Sequence, residues 1–182
     1  MSTTTEVKTT WGLDTAHSEI QFKVKHMMVS TVTGTFDDFS GEVISNSDDF
    51  ADADISFVAV IDSINTRSVQ RDEHLKSDDF FNAASYPTMR FQSKSFGKKE
   101  DGTYELIGDL TIRDQTHEVS LRTEYHGTVV DPYGQTKAGF EIRGIINRKD
   151  FGLKWSAITE AGGVVVSDEV RLELNVQLVK QA

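Results

Sequence analysis

The sequence contains no cysteine among its 182 residues. It therefore has no disulfide framework, no thiolate nucleophile and no thiolate metal ligand. Proline occurs only twice, at Pro87 and Pro132, and both positions border segments of alternating apolar residues. Few prolines favour long strands, because proline removes a donor from the hydrogen-bond ladder of a sheet.

Positive charge is also scarce. Lysine and arginine number 19 against 29 aspartates and glutamates, which gives a net charge of −10. Nucleic acids and anionic membrane surfaces require a basic binding face, so we expect neither to be a partner.

Long hydrophobic runs are missing. The longest run covers residues 57–61 and is too short to span a bilayer, so we expect no stable membrane insertion. Residues 1–10 lack the features of a secretory signal and predict a flexible N-terminus before a single domain over residues 11–182. We expect a cytoplasmic protein, or a periplasmic one if a signal precedes this sequence.

Most of the chain alternates apolar and polar residues with a period of two, which is typical of strands with one buried face. Such long strands must close into a barrel or stack as two sheets. The pattern predicts an all-β protein of about eight antiparallel strands. Apolar alternation occurs in residues 18–26, 32–43, 53–61, 89–91, 104–112, 119–125, 140–146 and 170–178.

Residues 68–84 break this alternation and predict a helical insertion of one or two short helices. Ser77 is the expected N-cap of the second helix. Within the first helix, Arg71, His74 and Leu75 share one face because they lie three and four residues apart.

The residues on the inward phase are mostly large and apolar, but they include Gly108, Gly144 and the polar His26. Two interpretations stay open. A sandwich or barrel with a solid core is one, and a barrel with a ligand cavity is the other, since small and polar residues leave volume and hydrogen-bonding groups unused.

A series of motifs then resembles the YceI-like family of lipocalin-like lipid-binding proteins, in the expected order and over essentially the whole chain. The turn Arg113-Asp-Gln-Thr116 departs from the family, where a glycine-containing turn is usual, and this leaves the local turn in doubt. The matching motifs are Trp11-Gly-Leu-Asp-Thr-Ala-His-Ser-Glu-Ile-Gln-Phe-Lys-Val-Lys-His26, Gly34-Thr-Phe36, Phe39-Ser-Gly41, Ser63-Ile-Asn-Thr66, Arg71-Asp-Glu-His-Leu-Lys-Ser-Asp-Asp-Phe-Phe81, Tyr86-Pro87, Phe91-Gln-Ser93, Gly108-Asp-Leu-Thr-Ile112 and Arg148-Lys-Asp-Phe-Gly152.

This resemblance implies an antiparallel lipocalin-like β-barrel around a long apolar channel, closed on one side by the helical insertion. It implies a ligand that is a polyisoprenoid or an isoprenoid quinone, which the protein binds, stores or carries, and it implies a homodimer. The alternative function is a structural or interaction module with a solid core and no cargo.

We expect the inward apolar residues to line the channel, the insertion to close its mouth, and two polar residues to orient a ligand head group. For Arg71, a purely structural pairing with Asp72, Asp78 or Asp79 is the alternative, and for Arg148 a pairing with an internal carboxylate such as Asp14. The predicted ligand-binding residues are Phe22, Val24, Phe36, Phe57, Phe91, Leu121, Phe140 and Ile142 in the wall, Arg71, His74, Leu75 and Phe81 in the insertion, and His26 and Arg148 as polar anchors.

Catalysis is not expected. The chain lacks the Gly-x-Ser-x-Gly turn that positions a nucleophilic serine in hydrolases, and it lacks a phosphate-binding glycine loop. The five histidines show none of the spacings of known metal sites. We therefore predict a binding protein without catalytic residues, without a metal and without a required cofactor.

Overall fold

The computed structural model describes residues 8–47, 49–157 and 165–181. Strands dominate these residues, with one short α-helix and three 3₁₀ turns at 15–17, 61–63 and 148–151. The strands are β1 (Thr9–Leu13), β2 (Glu19–His26), β3 (Ser30–Phe36), β4 (Phe39–Ser45), β5 (Asp54–Val60), β6 (Ile64–Asn65), β7 (Thr88–Lys98), β8 (Tyr104–Ile112), β9 (Gln115–Val130), β10 (Thr136–Asn147) and β11 (Val166–Lys180), and the helix is α1 (Val69–Lys76).

All of these strands belong to one antiparallel sheet that closes on itself. The ring follows the order β1-β4-β5-β7-β8-β9-β10-β11, and β11 pairs with β1 to complete it. Both β1 and β2 pair with β11. On their other side, β1 pairs with β4 and β2 pairs with β3. In the same way, β4 pairs with β5 and β3 pairs with β6. The described residues thus form a barrel with eight strand positions, three of which are each filled by two consecutive strands, and the predicted all-β barrel is confirmed.

Side chains alternate between the barrel interior and the outer surface, as the period of two predicts. On β8, every second residue from Tyr104 to Ile112 is buried, and the residues between them are partly exposed. The register of a strand with one buried face is strongly specified, because a shift of one residue would turn its apolar side chains to solvent.

The barrel begins earlier than the sequence predicted. Thr9 and Thr10 belong to β1 and pair with Ser45 and Ile44, so the predicted flexible segment 1–10 is wrong for these two residues. β-Branched threonines favour a strand that pairs with another strand. The pairing partner here, β4, is known only from the tertiary structure. Residues 1–7 of the predicted flexible segment lie outside the described residues.

The helical insertion contains one helix and not two. Ser68 is the N-cap of α1, with its hydroxyl accepting from the Arg71 N–H at 3.3 Å, whereas the predicted N-cap Ser77 is the C-cap. The chain after Ser77 turns back, and the N–H groups of Phe81 and Ala83 donate to carbonyls of the last helical turn at 3.0 and 2.9 Å. These donors satisfy helix-end carbonyls that would otherwise lack partners, which favours the turns over a second helix. Within the described residues, no helix has the length and apolar composition that crossing a bilayer requires.

Candidate functional site

The barrel interior holds a cavity of about 230 Å³ with an almost entirely apolar wall. It extends along the barrel, from Phe50 near one end to Leu75 and Phe81 near the other. We call the end that carries α1 the lid end and the opposite end the floor. A cavity of this size is close to the lower limit of about 300–1,000 Å³ for small-molecule pockets.

Eleven of the fourteen residues predicted to bind a ligand lie in this wall. They come from strands on every side of the barrel and from the insertion, so the predicted strand phases converge on one space. Their role in binding a ligand stays a prediction. These residues are Phe22, Val24, Phe36, Phe57, Leu75, Phe81, Phe91, Leu121, Phe140, Ile142 and Arg148.

Three inward glycines explain why large side chains leave the interior open. A Cβ atom at Gly34 would lie 2.3 Å from the Phe22 ring, and one at Gly108 would lie 2.5 Å from the ring of Phe91. Both rings therefore occupy the space that a side chain on the neighbouring strand would fill, close against the wall.

Leu121 has the same relationship to Gly144, where an added Cβ would lie 2.2 Å from its Cδ2 atom. Both Gly108 and Gly144 stood out in the sequence as small inward residues. Their partners became known only from the strand register, because each glycine meets a side chain from a neighbouring strand.

The floor is closed by Phe50, which was not among the residues predicted from the sequence. Phe50 lies in the connection between β4 and β5, is only 1% exposed, and has a φ of 63°. Its ring lies 5.1 Å from Trp11, 5.5 Å from Tyr125 and 5.0 Å from Phe140. A loop phenylalanine carries no periodic signal, so only the tertiary structure reveals it as part of the core.

The lid, which we define as residues 69–86, closes the other end with apolar side chains. Leu75, Phe80 and Phe81 reach the cavity wall, and the ring of Phe81 packs edge-on against Phe36 of β3 at 5.9 Å. This arrangement agrees with the predicted closing role of Leu75 and Phe81. Because β6 contains only two residues, the sheet between β3 and β7 is incomplete at this end, and the lid covers the gap.

His74 does not reach the cavity wall, contrary to prediction. Its Nε2 atom lies 2.9 Å from the carboxylate of Asp79, within the lid. Its ring packs edge-on against Phe80 and Trp155, with centroid distances of 5.1 and 4.9 Å. His74 therefore fastens the lid to the segment after β10 and offers no group to the cavity.

Arg71 also lies outside the cavity wall, on the exposed side of α1. Its guanidinium donates to the hydroxyl and the carbonyl oxygen of Thr66, at 2.8 and 2.6 Å. The hydroxyl and the N–H of Thr66 in turn donate to the carboxylate of Asp72. The structure thus places Arg71 outside the predicted wall and favours the structural alternative, with Thr66 as the direct partner in place of the expected carboxylates.

His26 is the third predicted residue that the structure places outside the wall. It is the last residue of β2, half-buried, and it pairs across strands with Ser30 and Val166. The inward phase of β2 is correct for Phe22 and Val24, but His26 lies where the strand reaches the rim at the lid end.

Arg148 lines the cavity and is only 4% exposed, but its donors are already engaged. The guanidinium donates to the carbonyl oxygens of Ser167, Leu153 and Trp155 at 2.9, 2.6 and 2.7 Å. Asp168 lies 3.5 Å away and is the carboxylate partner in place of the expected Asp14. Burial lowers the pKa of the Arg148 guanidinium, and the charge of Asp168 opposes this shift. Arg148 joins the end of β10 to the start of β11 and has little capacity left for a head group.

Arg113 is a second arginine at the lid end, and no role was predicted for it from the sequence. Its Nη1 atom donates to the carbonyl oxygens of Asp78, Phe80 and Gly152 at 3.3, 3.1 and 3.3 Å. Its Nη2 atom lies 3.1 Å from the Asp78 carboxylate, and the guanidinium lies 5.6 Å from the centre of the Tyr86 ring. Arg113 therefore connects the lid to the barrel.

The turn that carries Arg113 is the one that departs from the family pattern. Ile112 pairs with Gln115, so Arg113 and Asp114 form a two-residue connection between β8 and β9. Arg113 has a φ of 56°, in the left-handed region where a glycine would be less strained. The hydrogen bonds to the lid offset this strain.

A group of partly buried charges lies at the floor end. The carboxylate of Asp14 accepts from His17 Nδ1 at 2.9 Å and from Lys137 Nζ at 3.1 Å, and Asp131 lies 3.6 Å from the same ammonium. Burial raises the pKa of Asp14, but the hydrogen bonds from His17 and Lys137 outweigh it, so that the pKa is below its usual value. The hydrogen bond to Asp14 raises the pKa of Lys137.

Among the described residues, the side chains of Glu124, His126 and Glu141 form a group that has the spacing of metal ligands. Glu124 faces Glu141 across β9 and β10, and His126 Nε2 lies 3.5 Å from the Glu141 carboxylate. The guanidinium of Arg143 also contacts Glu141 and compensates its charge. This group is on the outer surface and does not contribute to the cavity.

The family model of the YceI-like domain matches residues 11–178. The chain belongs to the YceI-like family. The match begins within β1, ends within β11 and includes the lid, so the YceI-like domain accounts for nearly all of the barrel and agrees with the resemblance noted in the sequence.

Among curated relatives, the UPF0312 protein SERP2314 of Staphylococcus epidermidis is 35% identical over 170 residues, covering 93% of this chain and 96% of that protein. Among solved structures, the Campylobacter jejuni YCEI protein is 32% identical, with a TM-score of 0.73, 87% coverage of this chain and 90% of that chain. A polyisoprenoid binding domain from Saccharophagus degradans has a TM-score of 0.67 at 17% identity, covering 94% of this chain and 98% of that one. At this identity the last comparison shows a shared fold.

Proposed function

We propose that this YceI-like protein binds a long-chain isoprenoid lipid, a polyisoprenoid or an isoprenoid quinone, in the barrel cavity and carries or stores it. The observation that carries the proposal is the continuous apolar cavity between the lid and the floor. Burial of apolar chain contributes about 0.8 kcal/mol per CH₂ group, before the cost of ordering the chain. A tail alone therefore supplies substantial affinity.

The cavity favours an amphiphile with a tail over a polar ligand. The buried charged side chain of its wall, Arg148, already donates to four carbonyl oxygens. A polar molecule would lose its hydration without regaining hydrogen bonds. The polyisoprenoid binding domain from Saccharophagus degradans shares this fold, which supports an isoprenoid as the cargo.

The proposal assigns binding and no chemical step to the cavity. A solid interaction module, the alternative function, is disfavoured because the inward glycines keep the interior open. The cavity of about 230 Å³ accepts only part of a long chain, so a full-length ligand requires the lid to move or the chain to extend past the rim. The homodimer stays a prediction.

Organic extraction of the purified protein, followed by mass spectrometry, tests the proposal. We expect a long-chain isoprenoid at close to one molecule per chain, together with uptake of added polyprenol by the stripped protein. Ile142→Trp should fill the cavity and lower this occupancy. Ile145→Trp, on the outer face of the same strand, is the matched control, because Ile145 is 59% exposed.

The proposal is wrong if neither the purified nor the stripped protein binds any long-chain lipid. It also fails if Ile142→Trp, shown to be folded by its circular dichroism and thermal unfolding, keeps the same occupancy as Ile145→Trp.

A further inference from the structure

Three large apolar side chains stand together in solvent at the turn between β2 and β3. Met27, Met28 and Val29 are 46%, 63% and 83% exposed. We call these three residues the apolar tip. Single exposed apolar residues are common on protein surfaces, whereas a contiguous apolar patch at the mouth of a cavity is a candidate interaction site.

The backbone conformation of the apolar tip does not favour methionine at these positions. Met27 and Met28 have φ values of 50° and 59°, and the N–H of Val29 donates to the carbonyl of His26 at 3.2 Å. Two successive left-handed residues form a hairpin turn in which asparagine and glycine are strongly preferred. Two methionines are therefore present in spite of a local conformational cost.

The apolar tip is located at the lid end of the barrel. β2 and β6 run in the same direction, since both are antiparallel to β3, and β6 leads to the lid. The turn after β2 and the lid therefore lie at the same end.

The cavity wall also continues towards the apolar tip. Val24 of β2 and Val166 of β11 line the cavity, and the N–H of Met27 donates to the carbonyl of Val165 at 2.8 Å. The apolar wall thus reaches the strand ends that carry the apolar tip, with the half-buried His26 between Val24 and Met27 at the rim.

We propose that the apolar tip inserts into the interfacial region of a lipid bilayer, where the barrel takes up or releases its cargo. This inference rests on the proposed function, because a bilayer is the medium that holds a free long-chain isoprenoid. Apolar side chains at an interface bind by burying area among head groups and acyl chains. The net charge of −10 opposes anionic lipid, so the structure favours an uncharged bilayer surface.

Flotation with phosphatidylcholine vesicles tests this docking directly. The variant Met28→Asp/Val29→Asp should lower the vesicle-bound fraction and the rate of polyprenol transfer between vesicles, each on the order of tenfold. Aspartate tolerates left-handed backbone, so the turn of this variant keeps its geometry. The matched control is Val129→Asp/Val130→Asp at the floor end, where both valines are exposed at 65% and 69%, and it should float and transfer like the wild type.

Equal flotation of the tip variant and the wild type would overturn the inference, as would an equal loss in the floor-end control. Sedimentation velocity without vesicles measures whether the apolar tip instead binds a second copy of the chain. A dimer that dissociates in the tip variant would assign the apolar tip to self-association and overturn the docking. Flotation that depends on the tip, in a protein that binds no polyprenol, would support the membrane docking and contradict the proposed cargo.

Discussion

The Nη1 atom of Arg113 donates to the carbonyl oxygen of Phe80 over 3.1 Å, and through this contact the β8–β9 turn holds the lid. The same guanidinium donates to carbonyls of Asp78 and Gly152, so it joins three separate segments at the mouth of the cavity. Phe80 itself lines the cavity. The position of the lid therefore depends on a side chain that does not touch the interior.

We expect Arg113→Ala to loosen the lid. The loss of these charge-assisted hydrogen bonds should lower the free energy of unfolding by about 1–3 kcal/mol, since the partly buried side chain has several carbonyl partners. Amides of residues 80–83 should exchange faster in hydrogen-exchange mass spectrometry, and bound lipid should leave faster. Arg122→Ala, an exposed arginine on β9, is the control. Unchanged exchange of the lid amides in Arg113→Ala would show that the lid is held in another way.

Arg148→Met should destabilise the whole barrel. Removal of this buried guanidinium leaves the carbonyls of Ser167, Leu153 and Trp155 without their donor and Asp168 without its partner, at a cost of about 3–5 kcal/mol. Urea denaturation measures this loss. Retention of an isoprenoid alcohol and of a plain hydrocarbon should fall equally. A selective loss of the alcohol would instead restore Arg148 as a head-group anchor.

Gly34→Ala should reduce the cavity. The added methyl group would lie 2.3 Å from the Phe22 ring, so the ring must move into the interior, with a loss of stability of about 1–3 kcal/mol. Lipid occupancy, measured by mass spectrometry of the extract, should decrease. Gly97→Ala is the matched control, because a methyl group there meets no atom within 4 Å. Full occupancy in folded Gly34→Ala would show that the open interior does not depend on this glycine.

The contribution of Asp14 to stability should depend on pH. Hydrogen bonds from His17 and Lys137 outweigh burial and hold the pKa of Asp14 below its usual value of 3.8, so the folded state binds its proton less readily than the unfolded state. This contribution is present above about pH 4 and is lost as the pH falls through the lower pKa of the folded state. In urea denaturation, the difference between wild type and Asp14→Asn should therefore shrink below about pH 4.

A constant difference between wild type and Asp14→Asn over this pH range would contradict the assignment. Asp62→Asn provides the control, since this exposed carboxylate lies near the lid end, apart from the charge group at the floor.

Strand phase was open to prediction because the signal for it is local. Alternation along one strand decides which side chains point inward, and Phe22 and Phe140 reach the cavity wall as this rule requires. The same reasoning failed at His26, where the strand continues past the rim of the barrel. It also assigned Thr9 and Thr10 to a flexible segment, because two residues are too few to show the alternation that would indicate a strand paired with β4.

By itself, the sequence determined the all-β class, the approximate strand number, the place of the lid and most of the apolar wall, since all of these follow from periodicity, composition and family motifs. The tertiary structure alone decided the partners of the polar residues. Arg71 meets Thr66, Arg148 meets backbone carbonyls, and Arg113 holds the lid. A hydrogen-bond partner depends on which distant segment the fold brings within about 3 Å. Local patterns of residues along the sequence do not reveal that distance.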